Sequence, residues 1–260
     1  MNIHEAARAA LRECDVEAKL AGASRLWAHW QAGMLACGDL GTPTEIPGRP
    51  QCPELLPPQA MPRRQLNGAE NHAALIHSLA HIEFNAVNLA LDAVQRFSGL
   101  PPAFHADWVK VAAEEASHFT LLRDHLRSLG RDYGDFPGHD GLWEMAQKTA
   151  HDCLARMALV PRLLEARGLD VTPQIQRKLT GFGDRAGAAI LDIILRDEIS
   201  HVAAGDRWFR YLCKQRGLEP EAAFLELLSL PGVPRPRQPF NESARLAAGF
   251  SAREIAALVR

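Results

Sequence analysis

Tyrosine is nearly absent from this 260-residue chain, occurring only as Tyr133 and Tyr211. The five cysteines (Cys14, Cys37, Cys52, Cys153, Cys213) are scattered, odd in number and without a C-x-x-C pair. That pattern argues against a disulfide framework and against a cysteine-based structural zinc site. No apolar run approaches the roughly 20 residues of a membrane span. The opening MNIHEAARAALRECDVEAKL is charged and amphipathic where a signal peptide would be apolar. The expected location is the cytoplasm, with no membrane partner. A large charge of either sign is missing too. A net charge of −2 and a pI near 6.6 leave no basic footprint for nucleic acid. Arg63 with Arg64, and Arg235 with Arg237, read as solvated surface. No flavin or nicotinamide motif occurs, so electrons for any redox reaction would come from a separate protein.

The composition is otherwise that of a globular protein, 47% hydrophobic and 23% charged. Residues 3–36 carry apolar positions at near-helical spacing without an internal proline, and read as helical. Residues 38–66 hold seven prolines, which forbid a regular helix or central strand. A loop of that length is uncommon inside a compact domain. It reads as a strap across the surface rather than as a hinge or lid. Four long helical patterns follow, over about 69–97, 103–129, 142–167 and 185–214. Gly168 and Pro173 interrupt the third, with helical text resuming to Leu179 before GFGD. Short helices are expected near 219–228 and 252–259. Strand alternation is nowhere sustained. The fold class is therefore all-α, divided into an N-terminal helical segment and strap (1–68), a four-helix core (69–216) and a C-terminal helical extension (217–260).

AAEEASHFT and LRDEISHVA carry one pattern twice: an acid, Glu, a variable residue, Ser, His. Residues three apart share a helix face, so Glu115 with His118, and Glu198 with His201, can each converge on a point. Carboxylate and imidazole together suit a divalent transition metal. A single Glu-x-x-His is common by chance. Here each partner helix adds a glutamate inside an apolar stretch: Glu83 in SLAHIEFNAVNLAL and Glu165 in MALVPRLLEARGL. The separations Glu83→Glu115 and Glu165→Glu198 are 32 and 33 residues, so the halves look like duplicated hairpins. At about 1.5 Å per residue, the two glutamates of each hairpin return to a similar depth. The eleven-residue linker 131–141 can span about 36 Å, enough for a crossover. Glu114 and Asp197 directly precede Glu115 and Glu198 and lie four residues before each histidine. Either can accept a hydrogen bond from a ligand imidazole and fix its tautomer. Pro161, four residues before Glu165, removes a backbone hydrogen bond and is expected to widen the third helix there. His72, His77 and His81 read as surface residues or neighbours of the site rather than ligands. Trp27 with Trp30, and Trp208 with Phe209, read as packing residues.

This ligand set resembles the ferritin-like di-iron carboxylate superfamily, in which two helices give one Glu each and two give Glu-x-x-His. Over about 69–216, LLEARG, the Asp-Glu-x-x-His of the fourth helix and the following His-Val are most similar to an uncharacterised bacterial family related to the di-iron tRNA hydroxylases. The resemblance implies a ferritin-like four-helix bundle of duplicated hairpins holding two metal ions: iron, with manganese or zinc as alternatives. In its usual roles, Glu115 and Glu198 bridge the ions. Glu83 with His118 completes one site, and Glu165 with His201 the other.

Such a site implies an O2-activating oxidoreductase or hydroxylase of an organic substrate. Its partners would be a small-molecule substrate and an electron-donor protein; a homodimer is a further candidate. A tRNA nucleoside hydroxylase is an alternative that the charge balance disfavours. Ferroxidase or iron-handling work, and a non-enzymatic metal-binding interaction bundle, are the others. A radical-generating subunit is weakened because Leu122 stands one turn beyond His118, where ribonucleotide reductase small subunits carry tyrosine. Gly168 and Leu169 follow Glu165, where multicomponent monooxygenases and acyl carrier protein desaturases place a threonine. Proton delivery is thus unassigned.

Overall fold

A computed structural model of the protein describes residues 1–62 and 66–258. Arg63, Arg64 and the Val259 end of the last expected helix lie outside the described residues. The regular elements of the described residues are all helices, without a strand, as the patterning predicts. They form two compact units, Met1–Glu144 and Met145–Arg260, a division that falls inside the 69–216 segment.

The first unit opens with α1 (Ile3–Arg12) and α2 (Val16–Gln31). The single helical segment expected over 3–36 is thus broken. Glu13 accepts hydrogen bonds from the amides of Cys14 and Asp15, and Asp15 caps the next helix by accepting from Ala18 N at 2.8 Å. Acidic side chains that compete for backbone amides stop one helix and start another. The proline-rich strap follows, its described residues holding no regular element beyond a 3-10 turn at Pro58–Ala60. Backbone pairs pin it to the unit: Gly48 N to Leu11 O at 2.8 Å, Leu56 N to Gly138 O at 2.8 Å, and Gly138 N to Glu54 O at 2.9 Å. Gly48 is required there, because a Cβ would collide with the carbonyl oxygens of Arg12 and Glu13.

Then come α3 (Ala69–Arg96) and α4 (Pro102–Ser128), packed as an antiparallel hairpin. Pro102 starts α4 at the position where a missing N–H costs nothing. Ile76, Ala80, Phe84, Val87, Leu91 and Val94 bury one stripe of α3, and Trp108, Phe119, Leu122 and Leu126 answer from α4. Each large side chain so buried is worth about 1.5–3 kcal/mol. From Glu83 to Gln95, α3 is buried nearly all round, polar residues included. Some of their groups are met: Gln95 donates to Thr44 O in the strap, and Asn88 accepts from the buried Lys19 Nζ at 2.6 Å.

His105 on α4 is buried edge-on against His4 of α1, ring centroids 4.8 Å apart, and its Nδ1 has no hydrogen-bond partner among the described residues. Burial, then the neighbouring His4, pushes its pKa down to about 4. The unfolded chain therefore binds a proton that the folded chain refuses between pH 6.5 and 4. Stability is present above that window and falls as pH drops through it, by at most about 3 kcal/mol. Chemical denaturation of His105→Phe at pH 7 and pH 4.5 should show a smaller drop than the parent. An equal drop would mean that another group carries the acid sensitivity.

Helix α5 (Gly141–Lys148) leads out of the first unit. The second contains α6 (Cys153–Leu159), a π-helical segment Val160–Glu165, α7 (Ala166–Phe182) and α8 (Arg185–Gln215). The single helix expected over 142–167 is therefore in pieces. Asp152 caps α6 by accepting from Leu154 N at 3.0 Å, which ends the first piece. The expected interruption at Gly168 and Pro173 does not occur. Helix α7 runs through both, because buried Leu169, Thr172 and Leu179 keep it packed on α8. Asp184 starts α8 by accepting from Gly187 N, as GFGD suggests. Helices α9 (Pro220–Leu228), α10 (Glu242–Ala247) and α11 (Ala252–Ala257) close the unit. The patterning misses α10, whose six residues follow a proline-rich stretch and rely on the Asn241 cap.

Candidate metal centre

The first unit brings three of the six candidate ligands together. Glu83 comes from α3, Glu115 and His118 from one face of α4, and all three are buried. His118 Nδ1 lies 3.1 Å from Glu115 Oε2 and 3.5 Å from Glu83 Oε2. One ligand atom from each falls within 4.8 Å of the others. Glu83 Oε2 is buried and accepts no hydrogen bond among the described residues. Burial, then the Glu115 charge, raises Glu83 well above the usual carboxylate range. Burial opposes the charge on His118, yet its hydrogen bond to Glu115 and the adjacent Glu83 carboxylate push its pKa up to about 11. The raised values of Glu83 and His118 favour protons where a divalent cation would hold the ligands deprotonated. A donor set of two oxygens and one nitrogen, buried and partly unsatisfied, fits such a cation. Phe84 and Phe119, each directly after a candidate ligand in sequence, are buried with ring centroids 5.5 Å apart.

The second unit carries the other three. Glu198 and His201 share a face of α8, with Nδ1 of the buried His201 3.6 Å from Glu198 Oε1. Glu165 is half-buried and ends the π-helical segment. The widening expected at Pro161 is present there. Pro161 has no N–H to return to Met157, and the amide of Ala166 reaches five residues back to Pro161 O. Gly205, one turn beyond His201, accommodates the bulge. A Cβ at that position would lie 2.5 Å from Pro161 Cγ.

Other candidates divide. Glu114 pairs with Lys110 Nζ at 3.0 Å, and Asp197 accepts from Arg196 Nε at 2.9 Å; both are partly exposed. His72, His77 and His81 are buried and not solvated surface. His77 Nε2 accepts from Gly134 N, and His81 contacts Tyr133 Oη at 2.9 Å, so both hold the linker after α4. Trp208 and Phe209 are buried against aromatic neighbours, in line with packing roles. Sequence reasoning missed Arg162, Asp206, Arg210 and Glu254, which form a set of ion pairs beside the π-helical segment, buried except for the partly exposed Arg210. The available signal was an arginine directly after proline inside an apolar run.

The family model described as protein of unknown function (DUF455) matches residues 12–256. A Haemophilus influenzae protein named "Uncharacterized protein" is 50% identical over 213 residues, spanning 79% of this chain and 74% of that one. No solved structure matches the chain. The match over nearly its whole length shows that the chain belongs to the family of proteins of unknown function DUF455.

Proposed function

We propose that this chain is a ferritin-like di-metal carboxylate protein. In this reading, Glu83, Glu115, His118, Glu165, Glu198 and His201 hold two ions, iron foremost with manganese or zinc as alternatives. We propose further that it is an O2-activating oxidoreductase that hydroxylates or otherwise oxidises a small organic molecule. The observation carrying the reading is the buried convergence of Glu83, Glu115 and His118, written a second time in the sequence as Glu165, Glu198 and His201.

Charge arithmetic supports it. Four carboxylates balance two dications, and no smaller acid set would do so. When bound, a reduced iron pair supplies electrons and Lewis acidity for reaction with dioxygen. The chain's own residues do the rest. The Glu83 and Glu115 carboxylates already lie 3.5 and 3.1 Å from His118 Nδ1, so little rearrangement accompanies loading. Burial of that triad excludes water and strengthens its electrostatics. The opened turn at Pro161 frees backbone room beside Glu165, which we assign to dioxygen access.

Metal analysis after iron-supplemented expression tests this directly. About two equivalents per chain are expected. Less than one equivalent of iron, manganese or zinc overturns the assignment, and uptake well beyond two favours iron storage instead.

A further inference from the structure

Arg162 sits in the middle of the widened turn and is fully buried, which is rare for arginine. Its guanidinium lies over three phenylalanine rings, with centroids at 4.8 Å for Phe209, 4.2 Å for Phe224 and 4.6 Å for Phe250. Its Nε is 2.8 Å from Asp206 Oδ1, and its Nη2 donates to Glu254 Oε1 at 2.6 Å. Arg210 completes the circuit, donating to the second oxygen of each acid: Asp206 Oδ2 at 2.8 Å and Glu254 Oε2 at 2.9 Å. Two arginines and two acids alternate in a closed ring with no net charge. Glu254 is tied down in turn, because it accepts from Ser251 N at 2.7 Å in the capping box of α11.

A largely buried ion ring such as this one, with only Arg210 partly exposed, adds little stability over an apolar filling of the same shape, so its value lies in fixing a geometry. What it fixes here is the backbone around Arg162. A π-helical turn is an uncommon, strained insertion that closes back to α-helix unless held. Three residues on, that same turn ends at Glu165. Pro161 keeps the turn open on one side against Gly205, while Arg162 anchors it to α8 and α11 on the other.

We propose that the Arg162–Asp206–Arg210–Glu254 ring is a positioning device for Glu165, through which α11 sets the geometry of one metal ligand. The proposal rests on the two-metal reading above and adds an outer layer to it. Outer partners that orient a ligand typically change metal affinity 10–100-fold when removed.

The test uses Glu254→Gln, which keeps the side chain's shape and one acceptor, with exposed Arg253→Ala as a control. Both full-length chains are titrated with Co2+ alone and followed by visible absorption. The parent should take two equivalents. Glu254→Gln should bind one of them about tenfold or more weakly, with an altered absorption band at that site, while Arg253→Ala matches the parent. An unchanged affinity and spectrum in folded Glu254→Gln overturns the proposal. Native-state hydrogen exchange on the metal-free parent judges the same coupling without any variant. Amides 162–166 should open together with those of 252–257 as denaturant is raised, and separate opening overturns the proposal. A parent that takes up no Co2+ would sink the two-metal reading instead, a result distinct from either failure above.

Discussion

Glu115→Ala will emerge from iron-supplemented expression with neither metal ion, and Glu198→Ala will behave alike, whereas His77→Ala will carry both. Glu115 is buried and its carboxylate faces His118 Nδ1 within a triad that has one other acid. Removing it leaves Glu83 and His118, a pair too small to balance a dication. His77 is equally buried but is spent on Gly134 N and on stacking against Tyr133, 5.3 Å away. The loss should be readable as stability as well as stoichiometry. A ligand at a hundred times its Kd stabilises the folded state by about 2.7 kcal/mol per site. At about 2–4 °C per kcal/mol for a chain of this size, filling both sites should raise the parent Tm by on the order of 10–20 °C. That increment should vanish in Glu115→Ala. The metal-free variant should melt no lower than the metal-free parent, because it no longer buries an acid against another acid. Retention of both ions by Glu115→Ala would end the ligand assignment.

Much of this was legible in the chain because helices convert spacing into facing. Three residues between Glu115 and His118 suffice to predict a shared face, and the structure has Oε2 and Nδ1 3.1 Å apart. Pro161 was legible for the same reason, since a missing N–H at a known position predicts where the ladder must open. The failures have the opposite character. Gly168 and Pro173 looked like breaks, but local propensity lost to the burial of Leu169 and Leu179. The stop at residues 13–15 and the start at Asp152 turn on side chains capturing particular amides, and apolar periodicity carries no trace of that. The ring of Arg162, Asp206, Arg210 and Glu254 joins residues up to 92 positions apart. No short-range pattern brings those four charges into one view, so the feature holding the widened turn was the least visible.

The same turn supplies the second large effect. Gly205→Ala should destabilise the protein, although alanine is the better helix former by about 1 kcal/mol. Gly205 lies inside α8, and the added methyl would stand 2.5 Å from Pro161 Cγ and closer still to its Cβ. A proline ring has no rotamer by which to withdraw, so the strain must move backbone in the Val160–Glu165 segment or in α8. Overpacking of this kind costs about 1–3 kcal/mol, and a clash this close belongs at the upper end. After the propensity gain, a net loss of about 2 kcal/mol is expected, seen as a Tm lower by several degrees. Pro161→Gly removes both offending carbons, so the double variant should lose less than the sum of the two single losses. A coupling of about 1 kcal/mol or more in that cycle is the expected signature of direct contact. If Gly205→Ala melts at or above the parent temperature, Pro161 does not press on α8, and the opened turn must be held by Arg162 alone.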